Sequence, residues 1–324
     1  MTGARGHRRP GAAATAVLCV VTAAGLYGCA DAGPSTPRPT PTPAPAGVSP
    51  LTGLPARAGP VLAVKIDNVP PARPHTGLAA ADLVYVEQVE SGQTRLMALY
   101  SSRLPDRIGP VRSARESDIE LLRQFDRPVL AYSGAQSALG PLLRAAPLHL
   151  VTEANTPGAF VRATDRAAPH NLYLRPDRAL AAAPEAGHVK DVGFRFGPAP
   201  TDGTPVNSRT VSFPATRYTF TWTPAERAWR VTMDGRSDGP LKPATVVIQH
   251  VTVRPSRFHD FTGAVSPYTV TTGSGTAQVL RDGRVHEARW SRPNAEAGTT
   301  YTTPSGAPLN FAAGQVWVVL TGGR

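Results

Sequence analysis

Arginine is concentrated along one stretch of the chain, residues 107–125, which reads RIGPVRSARESDIELLRQF. Within it, Ser113 to Glu116 fit the S-x-x-E pattern that opens a helix, and Arg112 and Arg115 flank the serine. A helix start exposes unpaired N–H groups, and guanidinium groups bind carboxylates and phosphates through paired hydrogen bonds. The stretch therefore predicts an anion-binding cleft lined by arginine. The residues predicted to bind the anion are Arg95, Arg112, Ser113, Arg115, Arg162, His170 and Asn171.

Carboxylates lie near this stretch and at the ends of predicted strands, as Asp67 does after the run VLAVKI. Their simplest role is to pair with the arginines, which would leave little free positive charge. Several acids facing one cleft would instead hold Mg²⁺ or Ca²⁺, because hard cations prefer oxygen ligands. The chain has no D-x-D-x-D-G calcium loop, so the sequence favours ion pairs over a metal site. The acids considered for either role are Asp67, Asp82, Glu90 and Asp118.

The dipeptide His170-Asn171, in the sequence PHNLY, has residue types that serve in catalysis. A histidine can act as a general base, and an asparagine amide can stabilise an oxyanion. Beside Pro169, the same pair would also hold a loop through bonds between side chain and backbone, and we favour this structural role. Ser113 would be a nucleophile only with a base nearby, and a helix cap explains it without chemistry. The sequence therefore assigns no catalytic residue.

The N-terminus has the pattern of a bacterial export signal, predicted over residues 1–28. A basic start is followed by an apolar run, Gly11 to Leu26, which is too short to span a membrane comfortably. It leads into Leu-Tyr-Gly-Cys29, which resembles a lipobox, and the resemblance implies that Cys29 is the acylated first residue of the mature protein. We therefore expect anchoring to the outer face of the cytoplasmic membrane. An uncleaved signal anchor and an ordinary secretory signal are the alternatives.

Composition indicates the surroundings of the exported protein. Residues 29–48 are a Pro/Thr-rich tether, a composition typical of a semi-rigid polyproline spacer. The formal net charge of +11 favours anionic partners such as wall polymers or lipid-linked phosphates, and a wall-synthesis protein is a further candidate. No zinc-finger spacing, RNA-binding aromatic signature or dense basic block is present, which argues against nucleic acid. Both cysteines, Cys19 and Cys29, precede the folded part, which therefore has no disulfide.

Hydrophobic patterning after the tether predicts two domains. Residues 49–197 mix strand candidates with helical stretches, including Gly134 to Ala146, and are predicted to form an α+β or α/β domain. A Gly/Pro-containing stretch follows and marks a boundary. Residues 207–324 are nearly all short strands, with a strong hairpin turn at Asp282-Gly283. This second part is predicted to form a smaller, β-rich domain.

Short motifs along both parts resemble those of the YerB-like lipoproteins, a bacterial family of unknown function. The motifs are KIDN from Lys65, AD-x-VY from Ala81, VE-x-G-x-TR from Val89, GPVRSAR from Gly109, PHNLY from Pro169, GSG from Gly273 and G-x-x-W ending at Trp317. The resemblance implies a lipid-anchored envelope protein with a mixed N-terminal domain and a smaller C-terminal domain. It implies no catalytic residues, since the family has no settled activity to transfer.

Three functions are consistent with the sequence. We favour a lipid-anchored protein that binds an anionic ligand or a wall partner through the arginine cleft. The first alternative is a metal-assisted phosphotransferase or hydrolase acting on a lipid-linked phosphate, by a loose analogy to wall-polymer transferases of the LytR-CpsA-Psr type. The second alternative is a purely structural interaction lipoprotein. A divalent cation between the acids and the arginines would favour the first alternative.

Overall fold

Runs rich in Val, Leu, Ile and Tyr form the strands of this protein, and the fold is mostly β. The computed structural model describes residues 47–57, 59–260 and 262–323, all within one compact unit, Pro45–Arg324. The strands are β1 (Gly47–Val48), β2 (Pro55–Ala56), β3 (Leu62–Asp67), β4 (Leu83–Gln88), β5 (Thr94–Tyr100), β6 (Val129–Ala131), β7 (His149–Val151), β8 (Phe160–Arg162), β9 (Leu172–Leu174), β10 (Thr204–Pro205), β11 (Ser208–Ser212), β12 (Arg217–Thr223), β13 (Ala228–Met233), β14 (Arg236–Ser237), β15 (Thr245–Val251), β16 (Val253–His259), β17 (Val265–Thr269), β18 (Gly273–Arg281), β19 (Arg284–Arg292), β20 (Thr300–Thr302) and β21 (Val316–Gly322). The α-helices of the described residues are α1 (Glu116–Leu122), α2 (Gly140–Ala145) and α3 (Pro176–Ala181).

The predicted signal peptide, residues 1–28, and the predicted lipidation site, Cys29, lie outside the described residues. The tether, predicted over residues 29–48, is described only at its last two residues. Those two form β1, which pairs with β2 in a two-stranded ribbon. The last two residues of the predicted tether therefore belong to the folded part of the protein.

The prediction of an α+β or α/β domain over residues 49–197 is wrong. The three α-helices of the described chain have seven, six and six residues, whereas five strands of this segment, β3 to β7, enter one large sheet. Helical stretches were predicted near the right places, but they end after one or two turns. The physical reason is that a second β-sheet, rather than a layer of helices, covers one face of the large sheet.

The large sheet has eleven strands in the order β10-β19-β18-β15-β21-β4-β5-β3-β6-β7, with β20 paired to β19. The last strand of the chain, β21, lies between β15 and β4 and is parallel to both. Strands from residues 49–197 and from residues 207–324 therefore share one hydrogen-bonded sheet. The division into two domains stays a prediction from sequence.

The two faces of the sheet carry separate cores. On one face, Leu62, Val64 and Val84 pack with the four-stranded sheet β11-β12-β13-β14, which contributes Phe220 and Trp229. The opposite face carries a second apolar cluster, which includes Leu99 of β5, Leu121 of α1 and Tyr301 of β20. Successive side chains of a strand point to opposite faces, so β3, β4 and β5 are buried on both. The helix α1 thus lies on the sheet face opposite the four-stranded sheet.

Helix α1 begins two residues later than the S-x-x-E pattern predicts. Its N-cap is Arg115, whose backbone N–H donates to the carboxylate of Asp118 at 2.7 Å. At the other end, the buried guanidinium of Arg292 donates to the carbonyl oxygens of Glu120 at 2.8 Å and Leu121 at 3.3 Å. Both ends of this short helix are therefore bonded within the protein, and its N-terminus offers no site by itself.

Candidate functional site

A cleft of about 950 Å³ opens beside Ser113. One wall comes from β5 and from the segment before α1, which contribute Arg95 and Arg112. The loop at residues 134–139 forms a second wall, and the hairpin β16–β17 forms a third. The chain therefore brings four of the predicted binding residues to one cleft: Arg95, Arg112, Ser113 and Arg115.

Arg95 is the most buried of the cleft arginines, with 9% of its surface exposed. It stands on β5 in register with Asp67 of β3 on one side and Glu87 of β4 on the other. Its Nη1 donates to the carbonyl oxygen of Ser113 at 2.9 Å, and among the described residues its side chain has no other hydrogen bond and no ion pair. A buried guanidinium with unused N–H donors therefore faces the cleft.

Burial lowers the pKa of Arg95 to about 10; the positive charges of Arg115 and Arg112 act in the same direction, and the negative charges of Glu90 and Asp67 act in the opposite one. The charged form of Arg95 is thus held where its surroundings disfavour it. A bound negative charge would relieve that cost directly. This electrostatic situation is typical of a binding group rather than of a residue that stabilises the fold.

Arg115 differs from Arg95 because it has a carboxylate partner. Its Nε and Nη2 both donate to the carboxylate of Glu90, each at 2.6 Å, and the Ser266 hydroxyl also donates to that carboxylate. Burial would raise the pKa of Glu90, but these hydrogen bonds and the charge of Arg115 outweigh it and lower the pKa. Arg115 is therefore oriented and largely neutralised within the fold.

Arg112 has a weaker partner, Asp67, whose Oδ2 lies 3.3 Å from its Nε. The same oxygen lies 2.9 Å from Nδ1 of His170, and Nε2 of His75 lies 2.7 Å from the backbone oxygen of Asp67. One carboxylate is thus shared between an arginine and a histidine. Arg112 is less completely neutralised than Arg115, and 22% of its side chain is exposed.

The remaining predicted binding residues, Arg162, His170 and Asn171, are not among those that line the cleft. Arg162 is exposed, pairs with Glu153 at 2.7 Å and donates to Oδ1 of Asn171 at 3.1 Å. The Asn171 amide in turn donates to the carbonyl oxygen of Ala163 at 3.0 Å. These bonds hold the loop between β8 and β9, in line with the structural role favoured for Asn171. A ligand-binding role for the three residues stays a prediction.

A buried ion cluster that sequence reasoning did not identify supports the cleft from below. Lys65 of β3 is fully buried, and its Nζ donates to Oδ1 of Asp118 at 2.5 Å and to the carboxylate of Glu87. Burial would lower the pKa of Lys65, but the two carboxylates outweigh it and raise the pKa. Burial also raises the pKa of Glu87, to about 7. The cluster ties α1 to β3 and β4, the strands on either side of β5, which carries Arg95. Its only signal in the sequence was a lysine inside an otherwise apolar strand.

The acids considered for a metal site do not come together. Asp82 lies five residues before Glu87 along the strand, and it accepts hydrogen bonds from the backbone N–H groups of Ser101 and Ser102. Asp118 and Glu90 are held by Lys65 and Arg115, as described above. Within residues 47–57, 59–260 and 262–323, no group of three or more His, Cys, Asp or Glu side chains could hold a metal ion.

The hairpin β16–β17, which forms the third wall of the cleft, is bonded to a part of the chain that is distant in sequence. Ser256 of β16 donates to Glu116 at 2.5 Å, and Glu120 accepts from Tyr268 at 3.0 Å and from the N–H of Thr271 at 2.8 Å. The hairpin β16–β17 is thus bonded to the exposed side of α1. Sequence analysis did not connect this hairpin with the arginines, because about 150 residues separate them along the chain.

Fold and cleft together define a mostly β protein in which one wide sheet carries a buried arginine that, among the described residues, has no carboxylate ion pair, at the edge of a polar cleft. Residues 51–189 match the N-terminal domain, and residues 209–318 the C-terminal domain, of the protein-of-unknown-function family DUF3048. The chain belongs to this YerB-like family, as its motifs predicted.

Two comparisons with individual proteins agree with the family. The chain is 34% identical over 146 residues to "Putative lipoprotein YerB" of Bacillus subtilis (strain 168); the match covers 43% of this chain and 44% of the relative. It thus spans less than half the length of that curated relative. The crystal structure of the Bacillus subtilis YerB protein has the same fold, with a TM-score of 0.71 and 22% identity over 84% of this chain and 96% of that one.

One further observation concerns the membrane. Among the residues that the structure describes, no helix has the length and apolar character needed to cross a bilayer.

Proposed function

We propose that this protein is a lipid-anchored envelope protein, held through Cys29 on the outer face of the bacterial cytoplasmic membrane, and that its cleft binds an anionic ligand. The name of the Bacillus subtilis relative, a putative lipoprotein, supports the anchor, as does the lipobox-like sequence. Without Arg5, Arg8 and Arg9 of the predicted signal peptide, the formal net charge falls from +11 to +8, which still suits a surface rich in anionic lipids and wall polymers. Those polymers, lipid-linked phosphates and a wall-synthesis protein are the partners considered.

The observation that carries the binding proposal is Arg95. A guanidinium has five N–H donors, and the one hydrogen bond of this side chain among the described residues goes to the Ser113 carbonyl. Taking a cation out of water without an anionic partner costs several kcal/mol, so such groups are rare in a protein that uses them only for structure. An incoming anion supplies the missing partner and forms charge-assisted hydrogen bonds.

Arg112 and Arg115 have a different role in this proposal. Their carboxylate partners hold the guanidinium planes in place. Binding an anion between them therefore costs less side-chain entropy. The Ser113 hydroxyl lies in the same wall of the cleft and can donate to the ligand. Binding then depends most on Arg95 and less on each of the other two arginines.

The test measures binding of small anions to the full chain in a neutral detergent. Inorganic phosphate, acetate and glucuronate are titrated by calorimetry into the wild type, Arg95→Met and Arg195→Met. Arg195 is the matched control, because it is an arginine outside the cleft with its own carboxylate partner, Asp191. We expect at least one anion to bind to the wild type and to Arg195→Met, with a loss of about tenfold or more in Arg95→Met.

Two results would contradict the proposal. The wild type would bind none of the anions up to high millimolar concentration, or Arg95→Met would bind them as tightly as the wild type does. Circular dichroism of each variant shows whether a loss of binding comes with an intact fold.

A further inference from the structure

We infer that the ligand of the cleft carries one singly charged group, a phosphodiester or a carboxylate, attached to an uncharged hydroxyl-bearing chain. This inference rests on the proposed anion binding and narrows the class of ligand. It excludes phosphate monoesters and pyrophosphates as the preferred ligands.

One of the three arginines that line the cleft has no carboxylate ion pair among the described residues, whereas the other two have one each. Glu90 neutralises Arg115 through two hydrogen bonds of 2.6 Å, and Asp67 lies 3.3 Å from Nε of Arg112. Among the described residues that line the cleft, Arg95 is the arginine without a carboxylate partner. One guanidinium without a counter-ion is matched by one negative charge.

A second negative charge on the ligand would meet carboxylates. Glu116 and Asp260 both line the cleft. Glu116 accepts a hydrogen bond from Ser256 at 2.5 Å, and Asp260 accepts from the backbone N–H groups of Thr262 at 2.8 Å and Ala264 at 3.0 Å. The hydrogen bond from the Thr262 hydroxyl and those from the two N–H groups lower the pKa of Asp260, because they stabilise its charged form. Like charges placed together across an interface are strongly unfavourable, so these two acids act against a dianion.

The amide of Gln136 indicates what the rest of the ligand contains. Gln136 lines the cleft, and an amide group both donates and accepts hydrogen bonds. Its Oε1 is buried and has no hydrogen-bond partner among the described residues. A hydroxyl group on the ligand would pair with the part of this amide that borders the cleft.

The size of the cleft agrees with a ligand larger than its charged group. A volume of about 950 Å³ is at the upper end of the range of 300–1,000 Å³ that ligand pockets usually have. Ser137 and Thr262 add hydroxyl groups to the lining, while Leu139 and Phe258 give it apolar surface. A polyol or sugar chain that carries the anion would fill this space with hydrogen-bonding and van der Waals contacts.

The experiment compares probes that share a scaffold and differ in charge, titrated into the full chain in neutral detergent at pH 7.5. Glycerophosphoglycerol is a phosphodiester with one charge, and glycerol 3-phosphate is a monoester with close to two at this pH. Glucuronate tests a carboxylate, and glycerol is the neutral control. We expect the diester or glucuronate to bind at least about fivefold more tightly than the monoester and pyrophosphate.

Two variants test the groups that select the charge. Glu116→Gln keeps an acceptor for Ser256 but removes one negative charge, so it should bind the monoester more tightly and change diester binding less. Gln136→Leu should weaken binding of the hydroxylated probes while leaving acetate unaffected. The preference between glycerophosphoglycerol and glucuronate distinguishes the two sources of a single charge, and either order supports the inference.

The outcomes separate this inference from the proposed function. If the monoester or pyrophosphate binds as tightly as the diester, and Arg95→Met abolishes both, the cleft is an anion site but the inference about a single charge is wrong. If the Glu116→Gln variant keeps the same ratio of monoester to diester affinity, the inference also fails. If no probe binds to the wild type, the proposed function itself fails.

Discussion

Nη1 of Arg95 donates to the carbonyl oxygen of Ser113 at 2.9 Å and so joins strand β5 to the segment before α1. This bond orients the guanidinium, and among the described residues no carboxylate forms an ion pair with it. The arginine is therefore positioned by a neutral group, which cannot compensate its charge. A binding site for an anion requires a cation that is held in position in a cleft and is not already in an ion pair.

The first prediction is that Arg95→Met does not destabilise the protein. Burial lowers the pKa of Arg95 to about 10, so the charged side chain costs free energy that an apolar side chain of similar length would not. We expect the free energy of unfolding at pH 7, measured in urea, to be unchanged or up to about 1 kcal/mol higher. Arg292→Met is the control, because Arg292 is also buried but donates to Thr271 and to several carbonyl oxygens. That variant should lose about 2–4 kcal/mol. A large loss in Arg95→Met would show that Arg95 is structural.

The second prediction concerns pH and Glu87. Burial raises the pKa of Glu87 to about 7 in the folded protein, from 4.5, so between these values the folded state binds more protons than the unfolded state. Stability from this group is therefore full below about pH 4.5 and is lost as the pH rises toward 7. We expect the free energy of unfolding of the wild type to fall between pH 5 and pH 8. In Glu87→Gln, this fall should be smaller by about 1–3 kcal/mol. The exposed Glu153→Gln should keep the wild-type profile, and an identical profile for Glu87→Gln would contradict the prediction.

The third prediction concerns Glu90, whose pKa is lowered below 4.5 by hydrogen bonds that outweigh its burial. A lowered carboxyl pKa gives stability that is present above about pH 4.5 and is lost as the pH falls through the folded value. Glu90→Gln should therefore lower the unfolding free energy at pH 7 by about 1–3 kcal/mol and by much less near pH 3. Chemical unfolding at the two pH values measures the difference. An equal loss at both would show that the Arg115 pair contributes no charge-dependent stability.

The fourth prediction concerns the bonds between α1 and the hairpin. Glu120 accepts from the Tyr268 hydroxyl and from the N–H groups of Thr271 and Thr272. Glu120→Ala leaves these donors unpaired, so we expect a loss of about 1–3 kcal/mol and faster amide hydrogen exchange in β17. Exchange in β12, on the other face of the large sheet, serves as the internal reference. Unchanged exchange in β17 would contradict the role assigned to Glu120.

The fifth prediction tests the anchor with the two cysteines of the chain. Cys29→Ser should abolish incorporation of a labelled fatty acid and release the protein from the membrane fraction, because a lipobox thiol is the acylated group. Cys19→Ser changes the other cysteine of the chain and should leave both unaffected. Labelling of Cys29→Ser at the wild-type level would contradict the prediction.

Several properties of the protein followed from sequence because each depends on neighbours along the chain. The family motifs are short and contiguous, and both family matches confirm them. The positions of α1 and α2 were close to those predicted for the same reason, since an amphipathic segment with a start or stop signal is a local pattern. The layers of the fold were predicted wrongly, because a strand pattern does not say whether helices or a second sheet will cover it.

The sequence alone determined that the folded part lacks cysteine, that the chain is basic, and that arginines flank Ser113. Tertiary structure decided which of the arginines predicted to bind the anion form ion pairs within the fold. Glu90 lies 25 residues from Arg115, Asp67 lies 45 residues from Arg112, and Arg95 has no such partner among the described residues. The physical reason is that ion pairing acts through space over a few ångströms, so the tertiary arrangement of the side chains, and not their spacing along the chain, sets which charges meet.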